Sequence, residues 1–308
     1  MSKIRISAAV LALAAAPALA QLATPLPSPN ASVTQTIGVT KAEVVYSRPS
    51  VKGRTIWGDL VPYDKVWRTG ANAVTKISFD TDVTVEGQKL AAGAYGLFTI
   101  PGKAEWTVIF NKQSPGSPAD YAADKDVLRV KVKPTALAEN KEFFTISFPS
   151  ATNSGATLTI AWEKLKLSLA IGVDTNAAFL HKAKVAVADA KVDDWRTSLT
   201  AARGLYDMKY APEDAAKFLE RSISTKETFS NLSLKANVLA GQGDKKGAIA
   251  AAEKALAAGK AAEQKPSPEA VAELEKSIAA WKNLGANAAR ALPAPASRGR
   301  RPRPQRPN

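Results

Sequence analysis

The chain contains no cysteine, one histidine and two methionines. Without thiols there can be no disulfide, no thiolate nucleophile or metal site and no redox relay, so the fold must hold by packing alone. A single histidine rules out a multi-histidine metal centre, and its place in a helical stretch keeps it out of a Ser-His-Asp arrangement with the chemically rich loop of the first half. His181 is expected to be a helix-surface or packing residue. Beyond the leader no run is apolar and long enough to span a bilayer, so the chain is not expected to be transmembrane. Gly53, Gly58 and Gly70 lie too far apart to cradle a phosphate, and no nucleotide-binding glycine pattern occurs. No cofactor or metal is implied.

Residues 1–20 read as a signal peptide. Lys3 and Arg5 form a basic head, an apolar run follows, and Ala18-Leu19-Ala20 precedes Gln21 as a small-x-small cleavage site. The mature protein is expected to begin near Gln21 and to be periplasmic or secreted. Of the formal net charge of +14, two positives lie in the leader and six in Arg290, Arg298, Arg300, Arg301, Arg303 and Arg306, which leaves +6 for the body between them. No acid follows Glu275. The Pro- and Arg-rich residues 290–308 cannot form a helix or bury a core and are expected to be disordered. In an exported protein such a tail meets an anionic envelope surface before nucleic acid, and no nucleic-acid partner is expected.

The hydrophobic period divides the body in two. Over 31–173, after a linker at 21–30, it is two: Ile77 and Phe79, then Leu128, Val130 and Val132, then Phe144, Ile146 and Phe148 alternate with polar residues. Turn signals at Glu86-Gly87-Gln88, Pro101-Gly102-Lys103, Ser114 to Pro118 and Asn153-Ser154-Gly155 cut the region into nine or ten strands. Leu158, Ile160 and Trp162, then Glu163-Lys164, then Leu165, Leu167, Leu169 and Ile171 read as a closing hairpin. An antiparallel β-sandwich, jelly-roll-like or similar, is expected.

Over 174–289 the period is helical. Six Ala-rich amphipathic runs begin near 176, 193, 212, 227, 244 and 268, several behind a good cap such as Asp193 or Asp194, or Pro268 after Ser267. The whole is therefore an α+β multidomain chain with an all-α region of helix pairs. Leu234, Ala236, Leu239, Gly243, Ala248, Ala251, Ala252 and Ala255 within 231–258 resemble one tetratricopeptide-type pair, in which small residues let two helices approach closely. Such pairs commonly present a groove to a protein partner.

Residues 46–72 have neither period. Three arginines, two tryptophans and two tyrosines sit among Pro49, Gly53, Gly58, Pro62 and Gly70, which marks a built loop. Tyr46-Ser47-Arg48-Pro49, Lys52-Gly53-Arg54, Trp57-Gly58, Val61-Pro62-Tyr63, Val66 to Asn72, Val85 to Leu90 and Ala92 to Phe98 together resemble the bacterial family known as domain of unknown function number 2911. The resemblance covers about 31–173. It implies an exported β-rich domain, often followed by helical repeats, and brings no assigned catalytic residue.

Arg48, Arg54 and Arg68 could converge on a carboxylate, phosphate or sulfate, or each could tie down its own loop through carbonyls. Trp57, Tyr63, Trp67 and Tyr95 could form a stacking platform for a saccharide ring or fill the end of the sandwich. Asn72 could orient a ligand or satisfy turn backbone. The preferred expectation is non-catalytic binding of a small anion or acidic saccharide by these eight residues. The alternatives are an envelope scaffold that recruits a protein through its helices and a hydrolase using a carboxylate pair drawn from Asp59, Asp64, Asp80, Asp82 and Glu86.

Overall fold

A computed structural model describes residues 25–112 and 121–290. The leader with its cleavage site, the turn at 114–118 and the basic tail beyond 290 lie outside the described residues.

Among the described residues ten strands form two antiparallel sheets. The first is six-stranded in the order β1-β2-β3-β6-β7-β8, built from β1 (Asn30–Ile37), β2 (Thr40–Ser47), β3 (Lys76–Phe79), β6 (Gly93–Ile100), β7 (Trp106–Asn111) and β8 (Asp126–Val132). The second is four-stranded in the order β5-β4-β10-β9, built from β4 (Val83–Val85), β5 (Gln88–Leu90), β9 (Thr135–Ala151) and β10 (Gly155–Gly172). The alternation read from the sequence dictates which faces meet. In β8, Leu128, Val130 and Val132 are buried while Val127, Arg129 and Lys131 are exposed. Inward residues of both sheets, among them Ile77, Leu97, Phe110, Phe144, Ile160 and Leu169, form one core. A small cluster of Val74, Phe98 and Ile109, with Ile100 and Tyr121 against it, lies outside that core.

The expected closing hairpin is absent. β10 runs unbroken for 18 residues, and Glu163 sits in it with φ 53°, where the register against β9 shifts on either side. A turn and a bulge leave the same trace in sequence, because both move the buried positions from even to odd numbers. Here Leu158, Ile160 and Trp162 give way to Leu167, Leu169 and Ile171 on one strand, with the left-handed Glu163 at the change of phase and the surplus residues of the register shift lying on β9.

Six helices follow: α1 (Thr175–Asp189), α2 (Trp195–Asp207), α3 (Pro212–Thr225), α4 (Phe229–Gly241), α5 (Lys245–Ala261) and α6 (Pro268–Arg290). Their starts are set by side chains that satisfy otherwise orphaned amides: Asp174 accepts from the amide of Ala177, Asp194 from those of Arg196 and Thr197, and Asp244 from that of Gly247. Thr228 and Asn231 cap α4 reciprocally. Two apolar clusters run through the array, with Leu199, Leu205, Leu219 and Leu234 in one and Leu232, Ala236, Ala252 and Leu274 in the other. α1 is seated on the sandwich. Its Ala178 belongs to the sandwich core, and Lys182 Nζ donates to Val39 O at 2.5 Å and pairs with Asp80 at 2.7 Å. Among the described residues no helix is long and apolar enough to cross a membrane.

The bulge makes a testable demand on residue 163. A left-handed backbone costs a residue with a branched Cβ about 1–2 kcal/mol more than glycine. Glu163→Gly should therefore leave the denaturation midpoint unchanged or raised, while Glu163→Val should lower it; the reverse order would show that residue 163 is not left-handed in solution.

Candidate functional site

The segment between β2 and β3 is threaded through backbone hydrogen bonds rather than draped over the surface. Its first part runs beside β9: Val51 N donates to Glu142 O at 2.8 Å, and Phe144 N donates to Pro49 O at 2.9 Å. A tight turn follows, closed by Val61 N to Ile56 O at 2.8 Å and Gly58 N to Val61 O at 2.9 Å. Gly58 has φ 90°, and a Cβ there would lie 2.7 Å from the ring of Tyr63, so that half-buried ring packs where only glycine leaves room. The last part meets β6, where Trp67 and Thr99 exchange both backbone bonds at 2.7 and 2.9 Å.

Four tryptophans meet beneath this path. Trp57 and Trp67 come from the loop, Trp106 from β7 in one sheet and Trp162 from β10 in the other. The Trp57 ring lies 4.7 Å from that of Trp106 and 5.9 Å from that of Trp162, both edge to face. Trp67 stacks on Trp162 at 5.9 Å and meets the edge of Phe144 at 5.4 Å. Trp67 Nε1 donates to Gly70 O at 3.1 Å. The buried indole N–H groups of Trp57, Trp106 and Trp162 find no acceptor among the described residues; edge-to-face geometry, which sets the positive edge of one ring on the negative face of another, is the compensation the cluster offers.

The remaining candidates are also tied into the frame. Tyr95 is buried on β6, its hydroxyl donating to Ala91 O at 2.7 Å, and burial, then the Asp82 carboxylate, raises its pKa. Asn72, at φ 56°, donates through Nδ2 to Ser28 O at 3.1 Å and to Ser47 Oγ at 3.3 Å, holding the end of the loop to the strand that enters it.

The three arginines do not converge. Arg48 Nε donates to Phe144 O and its Nη2 to Thr145 Oγ1, both at 3.1 Å, with the guanidinium over the exposed Phe143 ring. Arg54 Nε donates to Val51 O at 3.0 Å and Nη2 to Ser50 O at 2.6 Å. Arg68 differs. Its side chain is half-buried, its Nε is fully buried, and its guanidinium has no hydrogen-bond or ion-pair partner among the described residues. Trp67 points into the core, so the alternation of an extended chain sends Arg68 to the opposite face, the one that carries Phe98 and Ile100. Thr69, which follows it, is fully buried at φ 55°. A β-branched residue in that conformation is strained by about 1–3 kcal/mol, and it is held by Thr75 Oγ1 donating to its carbonyl at 2.6 Å and by its own hydroxyl bonding Thr99 Oγ1 at 3.2 Å.

Residues 28–171 match a family described as "Protein of unknown function (DUF2911)". The β-rich half of the chain belongs to that family. Neither a curated protein nor a solved structure matches the chain. The DUF2911 match ends one residue before β10 does, so the helical array lies wholly outside it.

Three of the five candidate carboxylates are tied to backbone amides. Asp82 Oδ1 accepts from Ala92 N at 2.8 Å, Glu86 Oε1 from Ala170 N at 2.5 Å, and Asp80 binds Lys182 and Lys41 N. Among the described residues no group of three or more His, Asp or Glu could hold a metal. Two cavities were not visible in sequence. One, of about 220 Å³, lies at the seam between the DUF2911 domain and α1, where exposed His181 joins Thr81, Asp82 and Asp174; Thr81 and Asp82 are far in sequence from Asp174 and His181, so no local spacing could have united them. The other lies among α2, α3 and α4.

If Arg48 is a structural tie, Arg48→Ala should lower unfolding free energy by about 1–3 kcal/mol, because the Phe144 carbonyl loses a charged donor in a half-buried place. Arg48→Lys should recover little, since an ammonium cannot span two acceptors as the guanidinium does. Urea unfolding followed by tryptophan fluorescence measures both.

Proposed function

We propose that the protein is an exported, non-catalytic binding protein for a small anion, and that Arg68 of the DUF2911 domain is its charged contact. The observation that supports this is the contrast among the three loop arginines. Arg48 and Arg54 have protein acceptors; the Arg68 guanidinium has none, although its Nε is out of water. A buried donor without a partner costs about 1–3 kcal/mol, and more when it belongs to a charged group, so a protein that keeps one gains by completing it. The guanidinium fork suits a carboxylate, phosphate or sulfate. Strain at Thr69 adds to the reading, because a costly backbone next to an unpartnered cation fixes where that cation stands. The export half of the proposal rests on the basic head, apolar run and Ala18-Leu19-Ala20 of the leader.

The ligand class is narrower than the residue types suggest. Trp57 and Trp67 turn their faces to other rings, and Tyr95 is buried with its ring 6.4 Å from that of Phe110. A saccharide platform would therefore rest on Tyr63 alone, while an oxyanion needs only Arg68 and neighbouring backbone.

Thermal shift on residues 21–289 with phosphate, sulfate and citrate tests the proposal. An anion held at a hundred times its dissociation constant should stabilise by about 2.7 kcal/mol. Arg68→Ala should leave the free protein's melting temperature unchanged or slightly raised and remove the response, and Arg68→Lys should weaken it. A fall of several degrees in the free Arg68→Ala variant with the anion response intact would move Arg68 into the framework and end the proposal.

A further inference from the structure

The cavity among α2, α3 and α4 is lined mostly by apolar side chains. It measures about 180 Å³ and is walled by Leu205, Leu219, Leu234 and Val238, of which Leu205, Leu219 and Leu234 are buried. An apolar cavity of about 150 Å³ is large enough to take up benzene, so this one has room for about one ring or a short alkyl chain. It is too small for a folded partner's side-chain cluster. Its lining contains one charged residue, Lys209, and one amide side chain, Gln242, and no carboxylate. Neither the Lys209 ammonium nor the Gln242 amide has a partner among the described residues.

The turn between α2 and α3 sets Lys209 in place by an unfavourable route, while Gln242 closes the C-terminus of α4. Lys209 and Ala211 adopt φ 51° and 47°, conformations that residues with a Cβ avoid. Between them Tyr210 N donates to Leu205 O at 3.0 Å, and Lys209 N donates to Tyr206 O at 3.0 Å. The result is a rim in which Lys209, Tyr206 and Tyr210 stand over an aliphatic floor. The charge excludes one occupant: the arginines of residues 298–306 would bring cations to Lys209.

We propose that this cavity is a second ligand site, for a small carboxylic acid with an apolar body of about one ring. Lys209 and Gln242 hold the carboxylate, one by charge and one through its amide N–H, and the body fills the space between Leu205, Leu219 and Leu234. The site is independent of Arg68, which lies in the other half of the chain.

Isothermal titration of the chain from residue 21 onward with benzoate, and with benzyl alcohol as the neutral body of similar shape, tests this. Benzoate should bind saturably and more tightly than benzyl alcohol. Lys209→Gln should weaken benzoate at least tenfold and leave benzyl alcohol unchanged. Ala216→Phe, at an exposed lining position that tolerates a larger side chain, should abolish both. Arg68→Ala should change neither. Absence of saturable benzoate binding, equal binding by Lys209→Gln, binding that survives Ala216→Phe, or benzoate binding lost only in Arg68→Ala would each overturn the assignment.

Discussion

The contact of four indoles and the Phe144 ring is the interaction on which the rest of the first domain depends. Trp106 and Trp162 belong to opposite sheets and are almost completely buried, so the cluster is where the two layers of the sandwich touch through their largest side chains. Trp57 and Trp67 enter the same cluster from the loop, which makes the loop part of the core rather than a cover. Each edge-to-face pair contributes about 0.5–1.5 kcal/mol beyond the area it buries. Three indole donors without acceptors each oppose that by a comparable amount. The cluster therefore stabilises chiefly by removing large apolar rings from water, and its geometry decides which arrangement of the loop wins.

That constraint explains why so rich a set of polar side chains yields so narrow a site. Once Trp57 and Trp67 are buried, the chain between Ser47 and Lys76 must pass over the end of the sandwich, and its carbonyls need donors. Arg54 supplies them at Val51 and Ser50, Arg48 ties the loop to the Phe144 carbonyl of β9, and Asn72 closes the loop against Ser28 and Ser47. Arg68 follows a tryptophan that faces inward, and its guanidinium finds no acceptor among the described residues.

Much of the architecture is legible in sequence because it follows local rules. Period-two runs such as Leu128, Val130 and Val132 can bury only one face, and helix starts at Asp194 and Asp244 are written in the capping residue. Where a local rule has two solutions, sequence fails: the change of phase at Glu163 fits a turn or a bulge, and the bulge wins because it keeps β10 continuous along β9. The site was legible as a location but not as an assignment. Arg48, Arg54 and Arg68 are chemically identical, and what separates them is which carbonyls the fold brings within 3 Å or so of each. The same holds for His181, a helix residue by pattern that lines a cavity where α1, through Ala178 and Lys182, meets the sandwich.

The account stands on the loop being part of the core, and a double-mutant cycle between Trp57 and Trp106 probes that most directly. Their rings are 4.7 Å apart, one on the loop and one on β7. Trp57→Leu and Trp106→Leu, alone and together, would be followed by urea unfolding read by circular dichroism. If the rings stabilise one another, the double variant should be less destabilised than the sum of the two single variants by about 0.5–1.5 kcal/mol. Strict additivity, or a Trp57→Leu variant as stable as the parent, would show that the loop rests on the sandwich without being built into it.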